Sequence, residues 1–147
     1  MKFIYLIIIL VSTSVFSQET DCNVKNNLGV NGYDLVAYFA GEAVKGKEEF
    51  THTYNTVSYN FSNKENLEKF KATPVEYLPQ YGGWCAYAMA DKGEKVDMNP
   101  ETFEIRDGKL YLFYKAYFNN TYKKWLKENP EKLRSLADEN WDELKAK

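Results

Sequence analysis

Alternating apolar and polar positions predict two β-hairpins in this chain. The predicted strand pairs are residues 49–54 with 57–61 and residues 102–106 with 110–114. The second pair is joined by Asp107-Gly108, the strongest hairpin signal in the sequence, because these residue types tolerate the positive φ of a two-residue turn. Residues 102–106 alternate like a half-buried strand, and we expect both hairpins to be covered by helices.

Capping signals predict helices around these hairpins. Ser62-Asn63-Lys64-Glu65 has the form of a capping box with Ser62 as N-cap. Further helices are predicted from Pro74, over 84–92, over 116–128 and from Pro130. Together with a short apolar element over 33–39, the pattern predicts an α+β fold: a single small domain with two β-hairpins packed against several short helices and a C-terminal helical segment.

The first residues have the features of a secretory signal peptide. Lys2 supplies a positive charge, residues 3–11 are apolar, and Val15-Phe16-Ser17 resembles a cleavage site. We therefore expect an exported protein, periplasmic or secreted after cleavage near Ser17. The expected organisation is a signal peptide over 1–17, a flexible lead segment over 18–28 and one domain over 29–147. Because no second apolar run of transmembrane length follows, no stable membrane insertion is expected.

Composition narrows the choice of partners. The formal net charge is −2, and the sequence has no basic block, so a nucleic-acid partner is not expected. Aromatic residues are abundant, with 12 Tyr, 9 Phe and 3 Trp. They predict either a core with polar rims or an aromatic binding face. An exposed patch formed by five tyrosines would favour the binding face, and burial of all five would count against it: Tyr33, Tyr38, Tyr77, Tyr81 and Tyr87.

Candidate chemistry is concentrated in residues 81–89. A double glycine precedes a predicted helix whose first turn carries Cys85, and a helix N-terminus lowers the pKa of a thiol. Met89 follows four residues later, on the same helical face. A thiolate with a thioether is a soft ligand pair of the kind that selects Cu(I). The same residues are also ordinary core residues. Four residues are predicted to shape the approach to a ligand: Tyr81, Gly82, Gly83 and Trp84.

His52, the single histidine, has two possible functional roles. It could be a third metal ligand beside Cys85 and Met89, or a base for the Cys85 thiol. It could equally be an ordinary strand residue. A disulfide between Cys22 and Cys85 is an alternative that would consume the thiolate a metal site needs.

Six stretches of the chain form a recognisable series: Gly32 to Phe39, Tyr59-Asn60-Phe61-Ser62, Phe70 to Tyr77, Pro79 to Ala86, Asp107 to Leu112 and Ala137 to Trp141. Together they cover about residues 29–144, and in them the chain resembles the YHS-domain family, in its exported single-domain branch. Short YHS domains attached to metal-transporting ATPases carry metal-binding cysteines, in a D-P-V-C-G-M run and an F-C-x-x-x-C motif. Here Ala37, Ser62 and Asn66 stand at those cysteine positions, so the resemblance implies no such thiolate site, and any metal would need other ligands.

Three hypotheses follow. The first is an exported, non-enzymatic binding domain that takes a soft metal such as copper through the Cys85 region. The second is a module without metal that binds a small molecule or a partner protein. The third is a thiol-dependent enzyme with Cys85 as nucleophile and His52 as base.

Overall fold

The structure, a computed structural model, describes residues 21–147, and its largest sheet is built on the first predicted hairpin. Two short strands, β1 (Val24–Lys25) and β2 (Leu28–Gly29), extend the predicted pair β3 (Lys47–Tyr54) and β4 (Val57–Phe61). The strand order is β1-β2-β4-β3. The β2–β4 pairing is parallel, and the other two pairings are antiparallel.

The second predicted hairpin forms a separate two-stranded sheet. Strands β5 (Asn99–Arg106) and β6 (Lys109–Phe113) are antiparallel. Asp107 and Gly108 occupy the turn with φ of 50° and 70°. Positive φ at both turn residues gives the backbone twist that matches two antiparallel strands. Both predicted hairpins are therefore confirmed.

A third, unpredicted hairpin lies inside the region expected to be one helix over 116–128. Strands β7 (Lys115–Ala116) and β8 (Asn119–Asn120) pair antiparallel, and the helix α5 begins only at Thr121. The side chain of Asn120 accepts hydrogen bonds from the backbone N–H groups of the first helical turn, at 3.1 and 3.3 Å. The predicted helix start at residue 116 was wrong. Residues 115–120 form the hairpin, and Asn120 then serves as the N-cap from which α5 begins.

Six α-helices lie in the described part of the chain: α1 (Leu35–Phe39), α2 (Lys64–Ala72), α3 (Pro74–Tyr77), α4 (Ala86–Lys92), α5 (Thr121–Lys127) and α6 (Pro130–Lys145). Asn63, and not Ser62, caps α2 by accepting from the N–H of Asn66 at 2.8 Å. Helix α4 starts two residues later than expected and ends at Gly93, which adopts the left-handed conformation typical of a C-cap. The mixed α+β class and the small single domain are confirmed.

Two hydrophobic clusters form the interior. The first cluster packs the four-stranded sheet against α1 and α2, and its largest buried side chains include Tyr38, Phe61 and Phe70. The second cluster joins α4, β6, α5 and α6 around Trp125 and Met89. Leu110 and Tyr111 are adjacent on β6 and belong to different clusters, because successive side chains of a strand point to opposite faces. Strand β6 therefore connects the two halves of the core.

The structure describes residues 21–28 of the lead segment that was expected over 18–28. Residues 21–28 carry β1, start β2 and pack against the Gln80–Gly83 turn, while residues 18–20 lie outside the described part. The predicted signal peptide over 1–17 also lies outside it. Within residues 21–147, no helix combines the length and apolar character needed to cross a membrane.

Candidate functional site

Cys85 is enclosed by the interior of the domain. It is the N-cap residue of α4, it is 0 % exposed, and its N–H donates to the carbonyl of Val96 at 2.8 Å. Its Sγ accepts the backbone N–H of Tyr114 at 3.3 Å and lies 3.4 Å from the hydroxyl of Thr121. The thiol therefore ties α4 to the end of β6 and the start of α5.

The structure places the other two predicted metal ligands differently. Met89 lies one turn after Cys85 on α4, is also 0 % exposed and packs in the second cluster. His52 lies mid-strand on β3, partly buried, with its ring centroid 6.2 Å from that of Phe70 in the first cluster. Within residues 21–147, no three or more His, Cys, Asp or Glu side chains form a group that could hold a metal ion. Cys85 and Met89 thus lie one helical turn apart, whereas His52 packs against Phe70 in the other half of the core.

The double glycine allows the backbone of residues 21–23 to approach the Gln80–Gly83 turn closely. Gly82 and Gly83 have φ of 61° and 84°, in the left-handed region that favours glycine. A Cβ at Gly82 would lie 2.7 Å from the carbonyl oxygen of Asp21. Asn23 donates its N–H to the carbonyl of Gly82 at 2.8 Å, and Trp84 donates Nε1–H to that of Asp21 at 2.7 Å. Three of the four predicted ligand-binding residues therefore help to seat residues 21–23.

A surface groove runs beside this turn, between the Leu78–Gly82 stretch and α6. It has two lobes, of about 630 Å³ and 450 Å³. Both lobes share one set of walls: Leu78, Pro79, Gly82, Trp141 and Lys145. The smaller lobe, called the aromatic lobe below, is also lined by Cys22, Tyr54, Asn55, Val57 and Tyr59. The larger lobe, called the charged lobe below, is also lined by Val75, Gln80, Tyr81, Lys109, Asp138 and Asp142. Tyr81 and Gly82 are the sequence-predicted residues that line the groove.

Polar contacts fix the wall of the charged lobe. The buried Tyr81 donates its hydroxyl to Asp138 at 2.8 Å. Burial and this carboxylate together raise the pKa of Tyr81 well above its ordinary value, so the hydroxyl keeps its proton in neutral solution. Lys145 lies 5.7 Å from the ring centroid of Trp141 and 3.3 Å from a carboxylate oxygen of Asp142. The lobe therefore presents an aromatic face with both signs of charge at its rim.

Cys22 is the thiol that reaches the groove. It is partly exposed and lines the aromatic lobe, and both cysteines are free thiols. Burial and the nearby carboxylate of Asp21 raise its pKa, against the opposing charge of Lys95. The thiol form therefore predominates at neutral pH, and its side chain contributes apolar surface to the lobe. Sequence reasoning did not assign Cys22 to this site, because nothing in the spacing links it to α6.

Ala37, Ser62 and Asn66 converge around one buried carboxylate. Asp34 is 0 % exposed and N-caps α1, with Oδ1 accepting the N–H groups of Val36 and Ala37 at 2.8 and 3.1 Å. Its Oδ2 accepts the N–H and hydroxyl of Ser62 at 2.8 and 2.6 Å and the side-chain amide of Asn66 at 2.8 Å. Five donors thus satisfy one buried carboxylate, and this hydrogen-bond network joins α1, β4 and α2.

The five tyrosines do not form one exposed patch. Tyr38 and Tyr81 are 0 % and 3 % exposed, whereas Tyr33, Tyr77 and Tyr87 are partly exposed and lie on different elements. Tyr87 donates to Glu128 at 3.0 Å, and burial together with that carboxylate raises its pKa to about 12. The aromatic lobe is lined instead by Tyr54, Tyr59 and Trp141, which the sequence analysis did not select.

Comparisons with family models, curated proteins and solved structures found no match for this chain. The resemblance to the YHS domain therefore stays a prediction.

Proposed function

We propose that this protein is a non-enzymatic binding domain whose groove takes a small amphipathic organic molecule. The observation that carries the proposal is the pair of lobes, about 630 and 450 Å³, that share Leu78, Pro79 and Trp141 as walls. Both volumes fall in the range of small-molecule sites, which extends from about 300 to 1,000 Å³. This is the second of the hypotheses drawn from the sequence.

The lining supports an aromatic or planar apolar portion in the ligand. In the aromatic lobe the rings of Tyr54, Tyr59 and Trp141 stand beside the aliphatic Val57 and Leu78. Aromatic side chains favour offset or edge contacts with other rings, so a flat ring system fits this lobe. The charged lobe would take the polar end of the same molecule, because lysine ammonium groups and aspartate carboxylates of the protein both line this lobe.

A non-enzymatic role is supported by the surroundings of the thiols. Cys85 is 0 % exposed and its sulfur accepts a backbone N–H, so the thiol is closed off from a substrate in solution. His52, the proposed base, packs against Phe70 in the other cluster. Cys22 lies in the groove, but its pKa is raised, which disfavours the nucleophilic thiolate.

A titration with 1-anilinonaphthalene-8-sulfonate, an aromatic anion whose fluorescence rises in apolar sites, tests the proposal. We expect saturable binding at one site, weakened at least about tenfold by Trp141→Ala and less than about threefold by Trp141→Phe. Leu136→Ala is the matched control, because Leu136 lies on the same helix, is 37 % exposed and does not line the groove. Urea unfolding of each variant separates lost binding from lost folding. Non-saturable binding, or equal affinities in all four proteins, would refute the groove as the site.

The second candidate is a soft metal such as copper at Cys85. One observation favours it: the Cys85 and Met89 side chains are both fully buried and lie one helical turn apart. Binding would require the sulfur of Cys85 to give up the N–H of Tyr114. An anaerobic Cu(I) titration of the reduced protein against a competing chelator, with Cys85→Ala and Met89→Leu alongside, decides the matter. Stoichiometric binding lost in both variants would favour the metal, and absence of binding by the folded protein would exclude it.

A further inference from the structure

The hairpin β7–β8 carries two aromatic side chains that are fully exposed to solvent in the part of the chain that the structure describes. Tyr117 is 100 % and Phe118 is 107 % exposed, and they are the two most exposed large hydrophobic residues of that domain. They form the tip between two-residue strands. Large aromatic side chains at full exposure on adjacent positions are unusual for a small domain, because their hydration is unfavourable.

The backbone at this tip adds a second anomaly. Tyr117 has a φ of 51°, in the left-handed region where Gly, Asn and Asp are favoured and a bulky residue is an outlier. At the other two hairpin turns Asn55 and Gly108 have φ of 47° and 70°, and Thr56 has a φ of 69°. Tyr81 has a φ of 55°, close to that of Tyr117, but its side chain is 3 % exposed and packs in the second cluster. Tyr117 has the same backbone conformation and gains no packing within the domain.

Lysines flank the tip along the chain. The chain has a net charge of −2, yet residues 108–127 contain no Asp or Glu and carry five lysines. Lys115 lies on β7 and pairs in register with Asn120 on β8. The side chain of Asn120 accepts the backbone N–H of Lys123 at the start of α5. Lys123 and Lys127 are four residues apart on α5 and share a face of the helix, and all three lysines are exposed.

Two exposed aromatics beside a field of lysines match an anionic lipid surface. Aromatic side chains partition to the interface between water and acyl chains, and each nearby lysine strengthens attraction to anionic headgroups. A stable protein interface fits less well, because two aromatic side chains bury only about 150–250 Å² each, whereas such interfaces bury about 800 Å² per partner. We propose that the β7–β8 tip inserts reversibly into the headgroup region of an anionic membrane, with the lysines on its rim.

Flotation with lipid vesicles tests this proposal. The protein is produced without residues 1–17, so that their apolar run does not itself contact lipid, and is mixed with vesicles of phosphatidylcholine alone or with added phosphatidylglycerol. We expect binding to the mixed vesicles that weakens with salt. Tyr117→Asn/Phe118→Ser should lower the partition at least about tenfold. Lys123→Glu/Lys127→Glu should lower it by about fivefold or more per lysine on mixed vesicles only.

Matched controls keep the test specific. Val75→Ser removes a side chain that is 72 % exposed on α3, and Lys47→Glu reverses a charge at the start of β3; both should leave the partition unchanged. Because Asn suits a positive φ, the tip variant should fold at least as stably as the parent in urea unfolding. Absence of binding to mixed vesicles at low salt, or equal binding by the tip variant, would overturn the proposal. So would tip-dependent self-association in sedimentation velocity without lipid binding, which would assign the tip to a second copy of the chain.

Discussion

Replacing Gly82 by alanine should detach the lead segment from the turn on which it rests. The new Cβ would stand 2.7 Å from the carbonyl oxygen of Asp21 and 3.1 Å from the Cα of Cys22. Both neighbours are backbone atoms, so relief requires residues 21–23 to move. That movement would break the hydrogen bond from Asn23 to Gly82 and the one from Trp84 to Asp21.

The expected loss can be worked from these contacts. Left-handed backbone costs an alanine about 1–2 kcal/mol relative to glycine. The two hydrogen bonds contribute about 1 kcal/mol each, so Gly82→Ala should lower the free energy of unfolding by about 3–4 kcal/mol. Gly108→Ala is the matched control, since Gly108 has a similar φ of 70° and a Cβ added there would meet nothing within 4 Å. It should lose only the backbone contribution of about 1–2 kcal/mol.

Urea unfolding followed by circular dichroism measures both losses. The two variants should differ by about 2 kcal/mol, which corresponds to a midpoint difference of about 1 M urea for a domain of this size. Equal losses in the two variants would refute the reasoning, because they would mean that the lead segment contributes nothing through its contact with Gly82.

Three further predictions concern polar groups held by hydrogen bonds. Cys85→Ala should lower the free energy of unfolding by about 1–3 kcal/mol in urea, because it leaves the N–H of Tyr114 without an acceptor, and Cys85→Ser should lower it less. In the parent protein, Cys85 should react with a thiol reagent only on unfolding. Asp34→Asn should cost about 3 kcal/mol or more by the same assay, because an amide N–H₂ would face hydrogen-bond donors. Burial acts to raise the pKa of Asp97, but hydrogen bonds, including that from Lys25, lower it overall. The contribution of Asp97 to stability is therefore present above its unfolded pKa of about 4, and it is lost as pH falls through the lower pKa of the folded state. Asp97→Asn should therefore flatten the loss of stability measured between neutral pH and about pH 3, and an unchanged slope would contradict this.

The sequence predicted those elements whose signals are local. Asp107-Gly108 specified its turn directly, and Pro74 and Gly93 marked a helix start and a helix end. The capping box over 62–65 was placed one residue early, because the Ser62 hydroxyl bonds to Asp34, 28 residues away, and leaves the cap to Asn63. Such a competition between tertiary and local partners cannot be read from spacing alone.

The candidate site was predictable only in part. Tyr81 and Gly82 were selected from the double-glycine turn, and both line the groove. Its remaining walls include residues of the lead segment, the β3–β4 hairpin and α6, which are far apart in the sequence. Trp141 had a helical pattern consistent with simple core packing, and Cys22 lay in a segment expected to be flexible. Pairing of distant segments carries no periodic signal, so these walls could not be assigned.

One measurement tests the central claim most directly: backbone and Trp side-chain NMR shifts during titration with 1-anilinonaphthalene-8-sulfonate. The proposed groove predicts the largest changes at Leu78, Gly82 and the indole N–H of Trp141, with a common saturation curve. Shifts centred on the exposed Tyr117 and Phe118, or spread without saturation over the whole surface, would contradict it.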